Sequence, residues 1–189
     1  MDAIRLTTPL TEGGARTLRA GERVLLSGTV YTARDAAHRR MAELIERGEE
    51  LPFPLDGAAI YYCGPAPAPP GRVIGAAGPT TSGRMDAYAP LLISRGLRLM
   101  IGKGPRNEAV LDAMRTHGAA YLAAAGGAGA LLASCITACE LVAWPDLGPE
   151  AVRRLTVRDM PLTVACDASG GNLYVTGPAA YLDFSAAMG

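Results

Sequence analysis

LRLMIGKGPRNEAVLDAMRTHGAAYLAAA, Leu97 to Ala125, decides the architecture. LRLMIG has the length and apolar content of a buried strand. GKGP makes a tight turn, and NEAVLDAMRTHG brings Val110, Leu111 and Met114 onto one helical face before Gly118 closes it. AAYLAAA then reads as the next strand, followed by a GGAG turn and an ALLAS helix. Strand, turn, helix and strand in this order predict an α/β fold, with helices crossing between neighbouring strands.

Upstream, AAIYYCG reads as a strand, PAPAPPG as a connector, and RVIGAAG as a further strand running into GPTTSGRMD, Gly78 to Asp86. A helical segment, MDAYAPLLISRG, follows, and Pro90 is expected to kink or delay it. The first sixty residues read as short strands with one clear helix. Thr32 and Asp35 match a capping box, Ala37, Met41, Leu44 and Ile45 fall at helical spacing, and Gly48 ends the run. Past CELVAW, the segments LTVRDMPLTVACD and NLYVTG flank Ala168-Ser169-Gly170-Gly171, a pattern that predicts a β-hairpin and hence a mixed sheet. No repeat of solenoid period recurs. Residues 1–189 are expected to form one domain.

Composition narrows the function. The chain is 49% hydrophobic and carries 18 basic against 18 acidic residues, which argues against a disordered tail, a nucleic-acid surface or a polybasic membrane anchor. No apolar run reaches membrane-spanning length and MDAIRLTTPL is unlike a secretory signal, so a cytoplasmic location is expected. The four cysteines, Cys63, Cys135, Cys139 and Cys166, are scattered and read as reduced structural thiols. Cys135 and Cys139 could share a helical face, but neither of the two histidines is near them in sequence, so no metal site is expected in this chain.

Three turns, GPTTSGR, GKG and GGAG, should cluster at the carboxyl ends of their strands, where α/β sheets bind ligands. GPTTSGRM approaches the phosphate-loop pattern but fails at both chemical positions, with Arg84 in place of the lysine and Met85 in place of the magnesium-binding hydroxyl. GGAGAL likewise lacks the third glycine of a dinucleotide loop. A carboxylate suits the loop better. The planar fork of Arg84 can hold one with two parallel hydrogen bonds, and the hydroxyls of Thr80, Thr81 and Ser82 can complete the cradle. Lys103 is the only lysine, against seventeen arginines, and it stands between two glycines at a strand end. Arg34 lies in the first turn of its helix, where free N–H groups already favour an anion. His38 reads either as a proton carrier or as a structural hydrogen-bonding residue, and Asp35 and Asp86 as caps or arginine partners.

TARDAAHRRM, GPTTSGRMD and MIGKG together resemble the iron–sulfur hydro-lyase β family: the β subunit or carboxyl-terminal domain of class I fumarate hydratase, and its relative the L-tartrate dehydratase β subunit. TTPL, GGAGAL and DMPLTVACDASGGNLYV extend the likeness over nearly the whole chain. The resemblance implies a swivelling β/β/α domain with a mixed sheet and flanking helices, closing against a separate α subunit that carries a [4Fe-4S] cluster. It implies that Arg34, Arg84 and Lys103 bind substrate carboxylate and that Thr80 contacts the reacting side and is a candidate base. The implied reaction is the reversible hydration of fumarate to (S)-malate, and the implied assembly a hetero-oligomer. Dehydration of L-tartrate and a cluster-free dicarboxylate sensor are the alternatives.

Overall fold

The computed structural model describes residues 3–186, with side chains as far as residue 179. Strand β1 (Ile4–Thr8) lies parallel to the first half of the ten-residue β2 (Arg23–Thr32). The last residues of β2 pair in parallel with β3 (Ala59–Tyr61), which leads on to β4 (Leu99–Gly102) and β5 (Ala120–Ala123), also parallel. Strand β6 (Ile136–Ala143) and the 15-residue β7 (Val152–Cys166) run antiparallel. One edge of β7 follows β2 from Arg23 opposite Thr163 to Thr32 opposite Arg153, and its other edge is divided between β6 and β5. The path β2, β3, β4, β5, β7 and back to β2 therefore closes into a ring. The sheet is mixed, as the sequence predicted.

Closure gives each strand an inner and an outer face, and the short parallel strands are buried on both. Ala59, Tyr61, Leu99, Ile101 and Leu122 pack inward with Leu26, Val30, Leu155, Val157 and Val164. Ile60, Tyr62, Met100 and Tyr121 face outward into a second core, which is covered by Met41, Leu92, Ile93, Val110 and Met114. These come from α2 (Asp35–Glu46), α3 (Ala89–Ser94) and α4 (Glu108–His117). The helix expected within NEAVLDAMRTHG is α4: the Asn107 side chain accepts Val110 N–H at 3.0 Å, and Gly118 leaves the helix in the left-handed region at φ 67°. Two short helices, α1 (Glu12–Thr17) and α5 (Gly129–Ser134), complete the parallel half.

Three expectations are corrected. Arg72–Gly78 forms no strand: Ala66 exchanges backbone hydrogen bonds with Gly75 and Ala76, so the proline loop folds back on itself. NLYVTG is not the second arm of a hairpin. After a tight turn, in which Cys166 bridges Asn172 and Asp167 N–H donates to Gly171 O at 3.0 Å, the chain enters α6 (Leu173–Ala186). Both edges of β7 are already taken by β2, β5 and β6, which leaves a following strand no partner along its length. The capping box also fails, because Thr32 is the last residue of β2, where its hydroxyl accepts Arg153 N–H at 3.1 Å and donates to Ala151 O at 3.3 Å. The N-terminus of α2 is satisfied instead by Glu150, whose Oε2 accepts Ala36 N–H at 3.1 Å.

Candidate functional site at the carboxyl edge of the parallel strands

The GPTTSGR loop lies along the ends of β3 and β4. Thr80 N–H donates to Tyr62 O and Ser82 N–H to Lys103 O, both at 2.8 Å, and Thr81 bridges Lys103 in parallel register. Its other end meets the GGAG turn, where Ala77 N–H donates to Gly129 O at 3.0 Å. All three glycine-bearing turns thus gather at one edge. Gly102 is what lets the loop sit so close, since a Cβ there would lie 2.0 Å from Ser82 Oγ. Under this junction Tyr121 donates its hydroxyl proton to Gly104 O at 2.9 Å, so Ser82 Oγ, 2.8 Å away, donates to Tyr121.

Arg34 stands where β2 passes into α2, with its Nη2 3.3 Å from Glu150 Oε1. Gly64 leaves it room, because a Cβ there would meet Arg34 Nη1 at 2.8 Å. Arg34 Nε is buried without a hydrogen-bond partner among the described residues. Arg84 Nε donates to Asp35 Oδ1 at 2.9 Å, so the two arginines meet around the same Arg34-Asp35 step. Lys103 is exposed on the zipped turn, with no carboxylate partner among the described residues, and Thr80 beside it is half-buried. Arg34, Thr80, Arg84 and Lys103 therefore occupy one edge of the sheet, on three elements.

His38 is fully buried, and its Nδ1 bonds Arg34 O at 2.9 Å. Since that carbonyl can only accept, Nδ1 holds the proton and Nε2 is bare, with no partner among the described residues. Burial pushes the imidazole down to about 4, and the Arg34 carbonyl bond opposes the shift only in part. In the neutral form it supports the Arg34 backbone through its Nδ1–H. Asp35 and Asp86 are arginine partners, of Arg84 and Arg106 respectively.

Sequence reasoning misses Glu150 and Arg106. Glu150 reaches α2 from 114 positions away, and Arg106 is one arginine among seventeen. Cys135 ends α5 while Cys139 lies in β6, so they do not share a helical face. Burial pushes the Cys63 thiol up to about 12 and that of Cys166 to about 11, which keeps both protonated. Among the described residues no group of three or more His, Cys, Asp or Glu side chains could hold a metal. No helix among them is long and apolar enough to cross a membrane.

The mixed α/β fold presents cations from three elements at the carboxyl ends of its parallel strands, and so falls in the class of α/β sheets whose ligands are expected at that edge. The comparisons narrow that class. A family model described as Fumarase C-terminus matches residues 1–177, and the chain belongs to that family. It is 44% identical over 154 residues to the anaerobic class I fumarate hydratase of Escherichia coli (strain K12), covering 80% of this chain and 28% of that protein. Fumarate hydratase 2 of Leishmania major is 42% identical over 156 residues, covering 82% and 28%. A putative L(+)-tartrate dehydratase subunit beta of Methanocaldococcus jannaschii is 38% identical over 171 residues, covering 87% and 88%. The chain thus spans little more than a quarter of the fumarate hydratases it matches, and nearly all of the tartrate dehydratase subunit.

Proposed function

We propose that this chain, acting as one domain, is the β subunit of a class I fumarate hydratase. It grips the substrate carboxylate while a cytoplasmic α partner supplies the rest of the active site. What supports this reading is that Arg34, Arg84 and Lys103 stand on neighbouring turns at one strand edge, Arg84 reaching Asp35 beside Arg34 and Lys103 bridging Thr81 through its backbone. A dicarboxylate laid there meets two planar forks and one point charge, with the Thr80 hydroxyl beside them. The edge is exposed at Arg84 and Lys103. Charges in water bind weakly, so a second surface must close over them before they act at full strength.

The [4Fe-4S] cluster implied by the family likeness does not suit this chain's own side chains, which offer no ligand group among the described residues. We assign it to the partner. This chain's part is electrostatic. Loss of a proton from the carbon beside a carboxylate places extra negative charge on that carboxylate, and preorganised arginine and lysine donors stabilise it most in the transition state. A threonine hydroxyl is a weak base at neutral pH, so Thr80 orients rather than abstracts unless the partner activates it.

The test is to combine the chain with its α partner, reconstitute the cluster and follow fumarate absorbance and malate formation. The chain alone should be inactive. A second reading, dehydration of L-tartrate, is favoured by one observation, the 38% identity over 171 residues to the subunit beta relative. Turnover of tartrate with none of fumarate would establish it. Dicarboxylate binding without turnover in the reconstituted complex would instead support a sensor.

A further inference from the structure

Below the two zipped turns lies an ion pair that the site does not use. The Arg106 side chain is 0% exposed, and its Nε donates to Asp86 Oδ1 at 2.7 Å. The other carboxylate oxygen accepts Asn107 N–H, also at 2.7 Å. The guanidinium carbon sits 5.3 Å from the Tyr62 ring centre and 5.1 Å from that of Tyr121, the aromatic residues at the base of the site. Asp86 follows Arg84 by two residues, and Arg106 follows Lys103 by three.

The turns are therefore joined twice. Backbone bonds between Thr81, Ser82 and Lys103 make the upper tie, and the Asp86 carboxylate makes the lower one. One tie leaves a hinge. Two ties, with the Tyr121 hydroxyl between them, fix rotation as well as distance. Taking an arginine and an aspartate out of water costs several kcal/mol per ion, and a packed apolar pair is often as stable, so stability alone is a poor reason for the arrangement.

We propose that Arg106 is a positioning residue: through Asp86 it sets the placement of Lys103 relative to Thr80 and Arg84. Its catalytic consequence rests on the function proposed above, but the placement itself can be read without it. Lys103 is the only lysine in 189 residues, so reductive methylation with carbon-13 yields one side-chain NMR signal besides that of the amino terminus. Arg106→Met should shift and broaden the Lys103 signal. Arg106→Met combined with Asp86→Asn removes both charges while an amide oxygen remains to accept Asn107 N–H, so the fold should stay stable, and the signal should move there too. Leu155→Ala, a comparable disturbance in the inner core, should leave it in place. An unmoved Lys103 signal in the folded double variant overturns the proposal, as does an equal shift in Leu155→Ala. In the reconstituted enzyme, Arg106→Met should lower kcat/KM about a hundredfold, the scale of a ~1 Å misplacement, and cost nothing further in a Lys103→Ala background. A moved signal with unchanged kcat/KM would leave the placement standing and overturn the role given to Lys103.

Discussion

Arg34 and Arg84 each already touch a carboxylate of this chain, whereas Lys103 touches none among the described residues. The Arg84–Asp35 pair is half exposed and contributes little to stability, so truncating Arg84 should be felt in catalysis rather than in folding. Arg84→Ala and Lys103→Ala should each remove about 2 to 4 kcal/mol of transition-state stabilisation, read as kcat/KM in the reconstituted enzyme, with little change in Tm. Normal efficiency in both variants would remove them from the site. His38 makes a different prediction. Its folded-state value of about 4 lies below the ordinary 6.5, so between these the unfolded chain binds a proton that the folded chain refuses. Stability should therefore be complete above about 6.5 and fall as the pH drops towards 4, by on the order of 3 kcal/mol in all. Thermal melts across that range should show the slope, and His38→Phe should abolish it. The cations are legible in the sequence because glycines and hydroxyls surround two of them and a helix start holds the third. Glu150 and Arg106 are not, because their meaning lies in partners far along the chain.

Among the elements, the turn after β4 is where local geometry bears most directly on the site. Gly102→Ala would drive a methyl group into Ser82 Oγ, and overpacking of this kind costs about 1 to 3 kcal/mol. The loss of stability, measured in urea, should come with a change in the Lys103 environment, since the displaced loop is bonded to that residue. Asn107→Ala removes only the cap of α4 and should cost about 1 kcal/mol while leaving the backbone N–H bond from that position to Asp86 intact. Sequence reading finds α4 and its glycine stop because both signals are local, and it finds β4 and β5 because they are unbroken apolar runs. It misreads NLYVTG and RVIGAAG, which have strand composition, because whether a strand forms depends on a free edge to pair with. It misplaces the cap of α2 for a related reason: Thr32 is spent on β7, and the carboxylate that takes its place arrives from another part of the chain.

At the scale of the whole molecule, ring closure by β2 and β7 separates an inner core from an outer one. Leu155→Ala opens a cavity inside the ring, where the short strands leave little freedom to collapse, and should cost about 2 to 5 kcal/mol in denaturant titration. The mixed sheet can be anticipated from the change of pattern past residue 144, but the ring cannot. Closure needs β7 to run beside β2 over its full length, and no local pattern marks that pairing. The solitary lysine has one more consequence. A protease specific for lysine has a single peptide bond to attack, between Lys103 and Gly104, and reaching it requires the zipped turns to part. The speed of that one nick would thus clock the opening of the site edge, and its slowing when another protein is added would report burial of that edge without any dye or assay of turnover.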